Sequence, residues 1–207
     1  VYQMRDNAYS LETPDKKNVR TQPGRADGWL DASSDRWGVT IAVRDFWQLY
    51  PKAVRATSDS LFIDLCPAFA DGTYDDCSKL DEIKLYYYLM GGRYRIARGV
   101  QKQHELLLAF HPGKLSPRTR QLVQAFQEPL IAVCAPERYC ETRVFGEILP
   151  ATAGRTPEYE KVCQQVYQGY MKHRESVHEY GMLNFGDQWG ERRVNWANGE
   201  YDHHHAM

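Results

Sequence analysis

The rhythm of apolar and polar positions changes once along this chain. Up to residue 113, short runs rich in β-branched and aromatic residues alternate with turn residues; beyond Ser116 the apolar positions recur at helical spacing. Residues 1–30 read as polar, with turns at Thr13-Pro14-Asp15-Lys16-Lys17 and Gln22-Pro23-Gly24-Arg25. Strands are predicted over residues 29–32, 37–43, 60–65, 82–89, 94–96 and 100–110, with one short helix over 46–54. Strands separated by Gly- and Asp-rich turns, rather than by long helices, predict an antiparallel β-sandwich.

In the second part Leu122, Ala125, Phe126, Leu130 and Val133 keep helical spacing; Ser116 is a candidate N-cap and Pro117 suits the first helical position. Pro129 and Pro136 should kink or end that helix, because proline lacks a donor and crowds the preceding turn. A second helix opens at Thr156-Pro157-Glu158, carries Tyr159, Cys163, Val166, Tyr170 and Val177 on one stripe, and runs to about Tyr180. The expected fold class is α+β in two partial domains, 1–113 and 114–207.

The segment after the second helix has a different character. From Asn184 to His205 it concentrates Asp187, Trp189, Glu191, Arg192, Asn195, Trp196, Asn198, Glu200, Tyr201 and His205. Aromatics interleaved with carboxylates, amides and Arg suit a sugar: flat apolar faces for its C–H surfaces and bidentate partners for its hydroxyls and carboxylates. The chain stops at Met207 directly after this cluster, an ending that reads as a cut.

Charge and cysteine content narrow the partners. A net charge of −1 from 26 basic and 27 acidic residues leaves no electrostatic footprint for nucleic acid or an anionic membrane. No apolar run approaches the roughly 20 residues that span a bilayer. Cys66, Cys77, Cys134, Cys140 and Cys163 form no Cys-x-x-Cys pair and leave one odd, a pattern that predicts buried thiols. The compartment, secreted or cytoplasmic, stays open.

Three blocks of residues carry a resemblance. They are Arg36-Trp37-Gly38-Val39-Thr40 through Arg44-Asp45-Phe46-Trp47-Gln48-Leu49-Tyr50-Pro51-Lys52, then Gly99-Val100-Gln101-Lys102-Gln103-His104-Glu105, and Asn184-Phe185-Gly186-Asp187 to Tyr201-Asp202. In this order they resemble exo-acting rhamnogalacturonan lyases of polysaccharide lyase family 26 and their bacterial YetA-like relatives. The resemblance implies most of a central β-sandwich followed by the first helices of an α/α toroid. It also implies further domains on the same polypeptide and an acidic, rhamnogalacturonan-type polysaccharide as substrate.

A lyase acting on a uronate removes the C5 proton, breaks the C4–O bond and leaves an unsaturated sugar. The chemistry needs a group to neutralise the C6 carboxylate, a base at C5 and an acid for the leaving oxygen. Neutralising the carboxylate acidifies C5–H, since the developing charge is stabilised where it forms. His is the natural base near neutral pH. In the strand expected over 100–110, Lys102 and His104 share a face with Leu106, Leu108 and Phe110, the last three core-like, which sets the basic pair about 7 Å apart at the polar end. His104 is thus the candidate base and Lys102 a substrate contact. Arg192 is the candidate partner of the carboxylate through its planar fork, and Tyr201 the candidate acid or base. Asp187, Trp189, Glu191, Asn195, Trp196, Asn198 and His205 are candidate substrate contacts. The plainer alternatives are an edge histidine, an Arg192 ion pair with Asp187 or Glu191, packing tryptophans, and helix-capping asparagines.

Metal readings are weak. His104-Glu105 opens like a zinc-protease motif, but Leu108 stands where its second histidine belongs. His203, His204 and His205 diverge by about 100° per residue on a helix. Asp71-Gly72-Thr73-Tyr74-Asp75-Asp76 lacks the spacing of a calcium loop, so it reads as a surface turn, with calcium the one cofactor it would admit. Two other functions fit the tail. One is a non-catalytic carbohydrate-binding protein; the other is a glycoside hydrolase using a carboxylate pair such as Asp187 and Glu200.

Overall fold

The computed structural model describes residues 1–13, 19–75, 88–96, 98–150 and 156–184, with the backbone of two further strands at 188–190 and 193–195. The chain divides into two compact units, Val1–Pro129 with His178–Ala206, and Leu130–Val177.

Besides the short antiparallel pair at 188–190 and 193–195, the first unit carries two antiparallel sheets and one helix, so the class is α+β. Its strands are β1 (Tyr2–Arg5), β2 (Ala8–Glu12), β3 (Val19–Pro23), β4 (Trp29–Ser33), β5 (Trp37–Val43), β6 (Lys52–Ala56), β7 (Leu61–Asp64) and β8 (Leu106–Pro112). A five-stranded sheet has the order β3-β2-β1-β6-β7 and a three-stranded sheet the order β4-β5-β8. Alternation along β5 turns Ile41 and Val43 inward, where they join Leu30, Phe46, Val54 and Ile63 in a core shared by both sheets. Helix α1 (Pro117–Gln127) starts as expected, with Pro117 in its first turn and the Ser116 hydroxyl accepting from Thr119 N. Gln127 Nε2 fastens its end by donating to the carbonyls of Asp27 and Val43 at 2.9 and 3.0 Å.

Several expectations are corrected. Residues 1–30 hold three strands, not turns alone; Gln3, fully buried, ties them together by donating to three carbonyls and accepting from Ala26 N at 2.7 Å. The short helix expected over 46–54 is a turn leading into β6. Pro51 lacks the N–H a helix would use there and disfavours helical geometry at Tyr50. No strand forms over 94–96. The strand expected over 100–110 begins only at Leu106, because its partner β5 ends at Val43 and the chain turns away at Asp45, whose φ is 52°. Leu106, Leu108 and Phe110 are exposed, not core. They lie on the same sheet face as Ile41 and Val43, but on an edge strand.

In the second unit α2 (Pro136–Thr142) and α3 (Pro157–Ser176) bury no residue. Pro136 opens α2 instead of ending a helix, and α3 stops at Ser176, short of Tyr180. The stripe of Tyr159, Cys163 and Val166 is exposed, as are Leu130, Ile131 and Val133. The thiols expected to be buried are free but largely open: Cys66, Cys134 and Cys163 are exposed and Cys140 is half-buried. Three of these lie in the second unit, where no described residue is buried. Cys77, Glu82–Tyr87 and the tail from Trp196 onward lie outside the described residues.

The chain re-enters the first unit at His178, whose Nδ1 lies 2.7 Å from the buried carboxylate of Asp6. Gly181 N and Met182 N then donate to the carbonyls of Gln48 and Tyr50, both at 2.8 Å. Tyr50, Tyr74, Leu89, Tyr180, Met182 and Leu183 form a second apolar core there.

Gly28 is the tightest point of the shared core. Its φ is +72°, and a Cβ there would collide with Cβ and Cγ of Phe46. We expect Gly28→Ala to lower stability by about 3 kcal/mol, from strain plus overpacking. Chemical denaturation of the two chains side by side checks this.

Candidate functional site

The turn between β5 and β6, the strand-less run before β8 and the returning segment at 181–183 meet around one side chain, Lys52. As the first residue of β6, it follows Pro51 and faces the core; it has no exposed surface. Its Nζ donates to Leu65 O at 3.0 Å and Pro51 O at 3.4 Å, and lies 3.0 Å from Met182 Sδ. Burial pushes its pKa down to about 7; the Cys66 thiol works against that shift and the charge of Lys102 adds to it.

Lys102 and His104, the two described residues singled out from the sequence for this role, both belong to this neighbourhood. Lys102 is half-buried, and burial lowers its pKa while Asp45 opposes the shift. His104 is also half-buried, and its pKa falls to about 4, first through burial and then through the charges of Lys52 and Lys102. Its Nδ1 is enclosed and has no hydrogen-bond partner among the described residues. Next to it Glu105 pairs with Arg44 at 2.8 Å, and Arg44 N donates to Glu105 O, so the two segments are pinned at their boundary. Both residues lie on a loop and not on the strand face expected for them, and the charge of Lys102 reaches His104.

Lys52 was not singled out from the sequence. The signal was available: read as a strand, 52–56 puts a lysine within an apolar run beside Val54. The helical reading of 46–54 hid it.

The tail is reached only in part. Trp189 and Asn195 fall on β9 (Gln188–Gly190) and β10 (Arg193–Asn195), an antiparallel pair in which Trp189 faces Val194 and Asn195 faces Gln188. Asp187, Glu191, Arg192, Trp196, Asn198, Tyr201 and His205 lie outside the described residues.

A second polar cluster was also missed. On the three-stranded sheet the Asp31 carboxylate accepts from Thr40 Oγ1 at 2.5 Å and Ser33 Oγ at 2.7 Å, and pairs with His111 Nε2 at 2.8 Å. Burial alone would raise the Asp31 pKa, but hydrogen bonds from Thr40, Ser33 and His111 outweigh it and hold the carboxyl below its usual range. Gly38 leaves room for the imidazole, since a Cβ there would strike His111 and Ser33. Each Asp31 oxygen is engaged, so this network locks β4, β5 and β8 together. In the 71–75 turn, Asp71 Oδ1 accepts from Gly72 N and Asp75 Oδ1 from Gly91 N, which makes the acidic run a backbone-bonded turn. Among the described residues no group of three His, Cys, Asp or Glu side chains could hold a metal.

The comparisons with known proteins return no matching family model and no matching curated protein.

The burial of Lys52 sets a pH dependence. Its pKa is depressed in the folded chain, so between pH 7 and about 10 the unfolded chain binds the extra proton and stability rises with pH. Lys52→Met should remove that part of the slope, at most about 1.4 kcal/mol per pH unit. Denaturation of both chains at pH 7, 8.5 and 10 measures the difference; parallel slopes would show that Lys52 titrates normally.

Proposed function

We propose that this chain belongs to a polysaccharide lyase that cleaves a uronate-containing polymer by β-elimination, with the Lys52–Lys102–His104 cluster as the reacting centre. The observation that supports the reading most is the state of His104: a neutral imidazole held half-buried beside two lysines. Neutral imidazole is the form a C5 base needs. A pKa near 4, however, makes a weak base, and catalysis favours a pKa near the operating pH.

The substrate itself supplies the correction. A C6 carboxylate seated against Lys102 offsets the positive field on His104, so its basicity rises when an acidic sugar is bound. The same contact withdraws charge from the carboxylate and acidifies C5–H. Lys52, enclosed by Leu65 and Met182, acts through its charge as a positioning residue and not by touching the sugar. In this proposal Arg192 is a second carboxylate partner, Tyr201 donates to the leaving oxygen, and Trp189, Trp196, Asn195 and Asn198 contact neighbouring sugars with Asp187, Glu191 and His205. A rhamnogalacturonan-type polymer is the proposed substrate, on the strength of the family resemblance.

The test follows the ultraviolet absorbance of the C4=C5 product over a panel of uronate polysaccharides. The expected result is a rise with an acidic polymer, none with its carboxyl-reduced form, and loss of at least about a hundredfold in His104→Ala, within the range of general-base contributions. Lys102→Ala should raise KM by about tenfold, as loss of a charge-assisted contact does. Release of reducing ends without the absorbance would replace elimination by hydrolysis. Binding without any product would make the chain a carbohydrate-binding protein.

A further inference from the structure

We propose that the first unit carries a second, separate site, a cavity between α1 and the 46–48 turn that binds a neutral sugar ring. The cavity has a volume of about 330 Å³ and includes neither Lys102 nor His104. It falls at the small end of ligand sites, which run from about 300 to 1,000 Å³. Its walls combine the indoles of Trp29 and Trp47 with the side chains of Asp27, Gln48, Gln124 and Glu128. Phe46 and Val123, both buried, contribute apolar lining.

The chemistry of these walls selects the ligand. A pyranose offers C–H surface to an indole and a rim of hydroxyls to amides and carboxylates, which accept or donate as each hydroxyl requires. The side chains of Asp27, Gln48, Gln124 and Glu128 make no hydrogen bond to any described residue, so their capacity is unspent. Charge separates this site from the lysine cluster. Asp27 and Glu128 stand against Arg120 in the lining and Arg25 over the Trp47 ring, so the walls carry no net positive charge to favour a carboxylated sugar. Arg120 itself lies over the Trp29 ring, 5.9 Å from its centroid.

The walls are held before any ligand arrives. Arg25 covers the Trp47 ring at 3.8 Å, Tyr180 meets the same ring edge-on at 4.8 Å, and the two bonds of Gln127 hold the end of α1. Aromatic surfaces already ordered lose little freedom on binding. This site binds and does not react, and it stands whether or not His104 is a catalytic base.

Saturation-transfer NMR on the 207-residue chain tests it, with methyl glycosides of glucose, galactose and mannose beside methyl galacturonide at equal millimolar concentration. Transfer to at least one neutral glycoside is expected, stronger than to the uronide. Gln124→Ala, at an exposed position, should weaken it by about tenfold while circular dichroism stays unchanged, as loss of a sugar hydrogen bond does. Trp29→Ala should weaken it at least as much, and His104→Ala should leave it as in wild type. No transfer from any neutral glycoside, preference for the uronide, or full binding in Gln124→Ala would overturn the proposal. Should Trp29→Ala fail to fold, Gln124→Ala alone decides.

Discussion

An ammonium group with no exposed surface is the constraint around which the first unit is arranged. A buried lysine is tolerated only when its donors find acceptors or its charge is reduced. Lys52 meets both conditions through the Leu65 carbonyl, the Met182 sulfur and a lowered pKa. To supply those partners, β6, the end of β7 and the returning segment at 181–183 must converge. That convergence closes the second apolar core, and the backbone bonds from Gly181 and Met182 to the 48–50 turn make it specific. The same charge reaches His104 and depresses its basicity. One buried cation thus ties packing to the electrostatics of the neighbouring loop.

The turn at 44–50 adjoins two environments. Lys52, Lys102 and His104 lie in a positive field, whereas Phe46, Trp47 and Gln48 line a cavity whose acidic and basic side chains nearly balance. In the second unit α3 exposes Tyr159, Val162, Val166 and Tyr167, and neither α2 nor α3 has a side-chain bond at its N-cap, so among the described residues neither burial nor side-chain capping supports these helices.

Segments distant in sequence meet in the first unit: Arg44 pairs with Glu105, and Gly181 and Met182 donate to the carbonyls of Gln48 and Tyr50. Lys102 and His104 were legible as a basic pair because both are polar residues leading into an apolar strand. Their partner Lys52 was not, since its burial depends on Leu65 and Met182, far away in the chain. The Asp31–Thr40–His111 network was hidden for the same reason: its members come from three strands whose register no local pattern reveals.

What the sequence determined by itself is local. Alternation in 37–43 specified β5, Ser116-Pro117 specified the start of α1, and Thr156-Pro157 the start of α3, because capping, proline geometry and periodicity act within a few residues. Tertiary structure decided the rest. It started β8 at Leu106, where the partner strand runs out, and made a strand of 52–56 by pairing it with β1 and β7. It also left Leu108 and Phe110 in solvent while burying Lys52. Burial and pKa belong to neighbours that only folding brings together, and hydrophobicity along the chain carries no record of them.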